Sequence, residues 1–280
     1  MENDNQLRVK ILVVAHKEFD DSIIPDEGYQ VIKVGSRISS TDALSSGWLT
    51  DDTGENIADQ NPYYCELTAH YWAWKNLKDV DVVGLVHYRR FFIDYQQSSI
   101  YKENILTKQA ITRILSRKRV IMPFQESKNG YFYLNVAHPN KQQLLWIIRE
   151  IIKKYYPIVL PSYDTVVGSK VMTLCNMAIF LKSDFDDYSS FLFDVMDKFN
   201  SRMNEENRQR VPRCNGYLGE VLLPVWVKYR FKESEIYRLD VRNSESTATI
   251  CPKTIIGRFR TCHTLLSLVR YFQIQKLKFL

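Results

Sequence analysis

Several things scarce or missing in these 280 residues narrow the class of protein. Cysteine occurs five times (Cys65, Cys175, Cys214, Cys251, Cys262), scattered, odd in number and never in a CxxC spacing. That pattern indicates neither a disulfide framework nor a zinc site, so a reducing cytosol is the simplest setting. No stretch of about 18 apolar residues occurs, so no segment is expected to span a membrane. Met1 to Gln6 is polar and lacks the apolar core of a signal peptide, which predicts a protein that stays inside the cell. There is no internal repeat and no linker before about residue 245. Finally, Ser246 to Leu280 contains no Asp or Glu, but holds Lys253, Arg258, Arg260, Arg270, Lys276 and Lys278. These six carry the whole net charge of +6, because the other 32 basic residues balance the 32 acidic ones. A nucleic-acid binder shows its basic face on a folded domain. Here the excess sits in a tail, which argues against nucleic acid.

What is present describes a globular α/β protein. Hydrophobic residues make up 45% and charged residues 25%, enough apolar mass for one large domain or two small ones. The 17 Tyr, 14 Phe and 5 Trp suit stacking on sugars or nucleobases, and equally a large core. Val9 to Ala15 and Tyr29 to Val34 predict strands, and the polar stretch from Ser36 to Asp59 predicts a long loop. Asn61-Pro62 opens a predicted helix over Tyr63 to Leu77, with Leu67, Tyr71 and Trp74 on its buried face. Further helices are expected at Ile105 to Arg117, Lys141 to Tyr155, Phe185 to Met203 and Gly216 to Tyr229. Strands are expected at Arg119 to Met122, within Val171 to Leu181, and at Ile236 to Val241. Alternation of this kind predicts a mainly parallel sheet flanked by helices.

The run Asp81-Val82-Val83-Gly84-Leu85-Val86-His87-Tyr88-Arg89-Arg90 carries the strongest functional signal. It reads as a buried strand ending in a cationic, hydrogen-bonding tip. Open α/β sheets bind ligands at the carboxyl ends of their strands. Two arginines there would hold a phosphate or diphosphate, because guanidinium offers a planar fork of donors and a charge that does not titrate. The competing reading is a surface salt-bridge cluster beyond a strand end.

Several segments carry a resemblance to a known family. They are Ala15-His16-Lys17, Asp51-Asp52-Thr53-Gly54-Glu55-Asn56-Ile57, the run Asn61 to Asn76 (NPYYCELTAHYWAWKN), Gly84 to Phe92 (GLVHYRRFF), Asn176-Met177, and Arg213 to Glu220 (RCNGYLGE). In this order they resemble a bacterial family of capsular-polysaccharide and O-antigen glycosyltransferases that long carried only a domain-of-unknown-function label. The likeness runs from about residue 9 to residue 228, roughly four-fifths of the chain. It implies a GT-A-like fold at residues 1–245, with a nucleotide-sugar half to about residue 125 and an acceptor half after it. Residues 246–280 are expected to form a basic amphipathic tail. It further implies transfer of a hexose, galactose or galactofuranose favoured, from a UDP-sugar to a lipid-linked or growing polysaccharide. Where the family often has Arg after the equivalent of Glu220, this chain has Val221. A non-catalytic module that binds carbohydrate or lipid head groups is the alternative reading of the same residues.

Each candidate residue has a chemical reason. Arg89, assisted by Arg90 or His87, would stabilise a leaving diphosphate in place of a metal, and Tyr88 lies at the same strand end. Asp51 and Asp52 would hold Mg2+ or Mn2+ if a divalent cation is used, although a turn capped by Asp side chains explains them equally. His16, Lys17, Asp52 and Asn56 would touch the nucleotide, and Glu66 the donor, either directly or through a neighbour. A Glu66–His70 pair on one exposed helix face would be the structural alternative. Asn176 and Arg213 complete the binding set, with Arg213 on the diphosphate or an anionic acceptor. His138 falls in another matching stretch. Glu220 is the candidate base for an inverting displacement, its pKa raised by partial burial. An N-terminal-turn Glu serving the helix dipole is the alternative. In the tail, apolar residues such as Leu265, Leu268, Phe272 and Leu277 mingle with the cations, which suits the anionic inner face of a membrane.

Overall fold

The structure is a computed structural model that describes residues 7–35, 47–94, 102–127, 139–173 and 175–245. The basic tail and His138 lie outside the described residues. β1 (Val9–Ala15) pairs in parallel with β2 (Tyr29–Lys33) on one side and with β4 (Val82–His87) on the other. β3 (Leu49–Thr50) adds a short parallel edge to β2. Sequence and structure agree on β1, β2 and β4 because both faces of the sheet are covered there, whereas β3, partly buried, falls in the stretch expected to be loop. Leu12, Val14, Val83 and Leu85 enter one apolar cluster, while Ile11, Val13, Val82 and Val86 enter the other. A strand buried on both faces is selected for an unbroken apolar run.

Beyond β4 the sheet departs from the mainly parallel expectation. β5 (Arg90–Ile93) folds back on β4 as a hairpin, with His87 opposite Arg90. β9 (Ala178–Leu181) runs antiparallel to both β4 and β6 (Val120–Pro123). β10 (Ile236–Asn243) runs antiparallel to β5 and parallel to β6. Strands β4, β5, β10, β6 and β9 therefore close a small ring at one end of a mixed eight-stranded sheet. A minor two-stranded sheet joins β7 (Glu126–Ser127) to β8 (Val171–Met172). Gly84 is required where β9 presses on β4: a Cβ there would stand 2.7 Å from Ile179 Cγ1 and 2.9 Å from Ile11 Cδ1.

The helix predicted over Tyr63 to Leu77 is two helices. α1 (Asn61–Tyr64) stops at Cys65, whose φ of 52° and ψ of −128° break the spiral, and α2 (Leu67–Asn76) begins after Glu66. Of the expected buried face only Leu67 is fully buried. Tyr71 and Trp74 are half-buried, and His70, Trp72 and Ala73 are buried instead, because the backbone reversal at Cys65 is not encoded in the apolar spacing. α3 (Lys108–Leu115) starts at Thr107, whose hydroxyl accepts from the Ala110 N–H. α4 (Pro139–Tyr155), α6 (Lys182–Glu205) and α7 (Cys214–Arg230) match predicted helices, while α5 (Leu160–Val167) was not anticipated. α2, α4, α5, α6 and α7 all contribute to the larger core cluster. Among the described residues no helix is long and apolar enough to cross a membrane.

Candidate active site

A cavity of about 540 Å3 opens at the carboxyl end of β4, where an α/β sheet is expected to bind ligands. Its lining joins β1 (Val14, with His16 beyond it), the α1–α2 break (Asn61, Pro62, Cys65, Glu66), the β4–β5 turn (His87 to Arg90), Cys175, and α7 with its cap (Glu220, Arg213). The structure thus assembles His16, Glu66, His87, Tyr88, Arg89, Arg90, Arg213 and Glu220 from segments far apart in the chain.

The β4–β5 hairpin explains the cationic tip. A two-residue turn leaves Tyr88 and Arg89 at its apex and starts a new strand at Arg90. The Tyr88 ring is buried and organises its neighbours: His16 meets it edge-on at 5.3 Å, Lys17 Nζ lies 5.4 Å from its centroid and Arg89 5.6 Å. Glu245, just past β10, bridges the two cations, 3.5 Å from Lys17 and 3.3 Å from Arg89. Lys17 is therefore held near the cavity without lining it. Two buried polar atoms on the lining, His87 Nε2 and Arg89 Nε, have no hydrogen-bond partner among the described residues. Unmade hydrogen bonds of this kind are costly unless a ligand completes them. Burial, reinforced by Arg90, Arg89 and His16, holds the His87 pKa down against the pull of Glu66, so the imidazole is neutral.

The carboxylates sit opposite. Asn176 does not line the cavity, but its amide donates to Glu66 Oε1 at 2.8 Å and to the Gly216 carbonyl at 2.9 Å. It thereby fastens Glu66 to the first turn of α7. Glu220 lies about two turns into α7, beyond the N-terminal turn that a purely dipolar role needs. Burial pushes its pKa up, and the Glu66 charge adds to the effect, to about 7. The Cys175 backbone, Arg213 and Arg90 pull it the other way. A carboxyl poised near neutrality is the expected state of a general base.

Backbone strain gathers at the same place. Among the described residues, four non-glycine positions have positive φ: Cys65 (52°), Cys175 (68°), Asn207 (49°) and Arg213 (65°). All but Asn207 line the cavity. Strained backbone persists where the surroundings over-determine it, and it concentrates at functional sites. Sequence reasoning gave Cys65 and Cys175 no role, since nothing in the residue type announces a left-handed cysteine. One signal was the glycine at Gly216, where a Cβ would lie 3.2 Å from Cys65 Sγ.

Other candidates lie elsewhere. Asn56 donates to the Gly54 carbonyl at 2.9 Å and accepts from the Ala58 N–H at 3.2 Å, shaping a turn. That turn rests on α2 through Trp72 and Asn76, which bond Thr53 and Glu55. Asp51 is fully buried, and burial pushes its carboxyl up. Neither Asp51 nor Asp52 reaches the cavity lining. Among the described residues, no three His, Cys, Asp or Glu side chains gather to hold a metal. Asp51 and Asp52 therefore share no lining with Arg89 and Arg90. His70 forms no ion pair with Glu66: it is buried, meets Ser189 Oγ at 2.8 Å, stacks on Phe185, and has its pKa lowered by burial to about 3.

With this geometry in hand, the family relationship is clear from residues 10–232, which match Domain of unknown function (DUF4422). The chain belongs to the DUF4422 family. Every described residue lining the cavity falls inside the DUF4422 match. In structure the chain is similar to WbbM, a bifunctional glycosyltransferase solved in its apo state, with 25% identity and a TM-score of 0.72. The similarity covers 85% of this chain and 46% of the WbbM chain, so this DUF4422 chain spans about half of that protein. No curated protein matches it.

Proposed function

We propose that the chain is a glycosyltransferase of GT-A type that moves a hexose from a UDP-sugar to a saccharide acceptor by direct displacement with inversion. The observation that carries this reading is the placing of Glu220, its pKa raised to about 7, in one cavity with Arg89, Arg90, Arg213 and His87. Transfer breaks the bond between the anomeric carbon and the diphosphate, so negative charge grows on the leaving group. Arg89 and Arg90 meet that charge with fixed donors that cost no reorganisation. Glu220 takes the proton of the attacking hydroxyl as the new glycosidic bond forms. Neutral His87 can hydrogen-bond a sugar or ribose hydroxyl without adding charge. Asn176 keeps the Glu66 carboxylate in place.

The similarity to WbbM supports the reaction class. The resemblance to capsule and O-antigen enzymes supports galactose or galactofuranose as the donor sugar and a lipid-linked or growing surface polysaccharide as the acceptor. On this reading the chain works in the cytoplasm at the inner face of the plasma membrane, to which the basic tail attaches it. The test is release of UDP from UDP-galactose, UDP-galactofuranose, UDP-glucose and UDP-N-acetylhexosamines, with and without a chelator. Release that persists in chelator and collapses in Arg89→Ala is expected. Strict dependence on added manganese, together with indifference to Arg89→Ala, would defeat the arginine mechanism.

A further inference from the structure

A second cavity, of about 200 Å3, is lined by residues of β6, α5, β8, α7 and β10. Three features join it to the first. On α7, Pro224 and Val227 follow Glu220 at spacings of four and seven, so one helix face lines both spaces. Thr173 lines the second and Cys175, two residues on, lines the first. β4 and β6 both run antiparallel to β9, so the end of β6 at Met122 and the end of β4 at His87 point the same way.

The lining is chemically unlike that of the first cavity. Thr173 is 1% exposed and its hydroxyl has no hydrogen-bond partner among the described residues. Gln125, Thr165 and Ser169 add uncharged polar groups, and Met122, Met172, Pro224 and Val227 an apolar surface. Arg238 is engaged by Glu233 at 3.3 Å, which leaves Lys228 as the remaining lining cation. A site so nearly neutral is poorly suited to a diphosphate. It suits a ring with hydroxyls on its edge and C–H groups on its face, because a buried hydroxyl discriminates strongly for a ligand that completes its bond.

We propose that this second cavity is the saccharide subsite of the acceptor, holding a pyranose unit whose chain extends along α7 to present a hydroxyl to Glu220. The proposal rests on the glycosyltransferase reading. It adds the place and chemistry of acceptor recognition, with Thr173 as a specificity-determining contact.

The test measures binding of methyl glucoside, galactoside, rhamnoside and N-acetylglucosaminide pyranosides to the full chain in the presence of UDP, by ligand-observed NMR. Two variants alter the cavity: Thr173→Val deletes the hydroxyl and Thr165→Trp fills the mouth from an exposed helix position. We expect at least one pyranoside to bind wild type and to bind at least tenfold more weakly in both variants. UDP affinity by calorimetry should be unchanged, and the Tm of Thr173→Val equal or higher, since an unpartnered hydroxyl gives the fold nothing. If Thr165→Trp fails to fold, Thr173→Val alone decides. The subsite is overturned if no pyranoside binds wild type, or if binding is undiminished in the folded variants. A purely structural Thr173 would lower Tm in Thr173→Val and leave saccharide binding untouched. Failure of the enzyme reading looks different: wild type would neither bind UDP nor release it from UDP-sugars, whatever happens to the pyranosides.

Discussion

Replacing Glu220 with Gln tests the central electrostatic claim without requiring a substrate. In the folded chain the Glu220 pKa moves from the ordinary 4.5 to about 7. Below pH 4.5 both folded and unfolded chains carry the protonated acid, and its contribution to stability is fully present. Between 4.5 and about 7 the unfolded chain gives up its proton and the folded one retains it, so stability falls as pH rises. At about 1.4 kcal/mol per pH unit, the loss totals about 3 kcal/mol once the pH exceeds 7. Glu220→Gln keeps the side-chain shape and cannot ionise, so it escapes this loss. Its Tm relative to wild type should climb by about 6–12 °C between pH 4.5 and pH 8, at roughly 2–4 °C per kcal/mol for a domain of this size. Differential scanning calorimetry of both proteins across that range supplies the readout. A Tm difference that stays constant with pH would mean that Glu220 titrates like a solvated carboxylate, and the argument for its basicity would fail. In turnover, the same variant should lose about 10²–10⁴-fold and the alkaline-rising limb near pH 7, while still binding UDP.

Arg89→Ala should cut turnover about 10²–10³-fold. Its ion pair with Glu245 is partly exposed, so stability should fall by less than about 1 kcal/mol, and a large loss of folded protein would mark Arg89 as structural. Cys65→Gly should raise stability by about 1 kcal/mol in urea titrations, because glycine accepts φ 52° and ψ −128° without strain, whereas Cys65→Ala should not. Equal midpoints for these two would show the backbone there to be relaxed. Full-length protein should co-sediment with anionic vesicles at low salt, each cation contributing about 1 kcal/mol, and a chain ending at Glu245 should stay in the supernatant. Retention of both in the supernatant would rule out the tail as a membrane anchor.

The sequence disclosed most where one local rule decides the outcome. β1 and β4 are unbroken apolar runs because both their faces are buried, and the cationic tip follows because β4 ends there. The ring of β4, β5, β10, β6 and β9 was illegible. Its strands are mostly four residues long, and each chooses a partner remote in the chain that no periodicity encodes. The α1–α2 break was hidden for a similar reason, since helical spacing continues through Cys65 although the backbone does not. Asn176 was named for binding, but its observed contacts are with Glu66 and Gly216, and only tertiary packing could reveal them. Asp51, Asp52 and Asn56 attracted attention as polar residues in a long loop, and such residues serve turns as readily as ligands.

The closure of the sheet by β10 also fixes a matter of reach. Because β10 pairs with β5, Glu245, the last described residue, stands at the cavity rim with its carboxylate 3.3 Å from Arg89. Anything joined beyond that point starts from the rim, and n residues extend no further than about 3.3–3.6 Å × n from it. A surface, lipid or partner held by the first few residues after Glu245 is therefore tethered beside the cavity. It is met at the high effective concentration of a short linker, rather than at its concentration in bulk. Inserting flexible residues directly after Glu245 would thus dilute such an encounter without touching a single residue of the cavity lining.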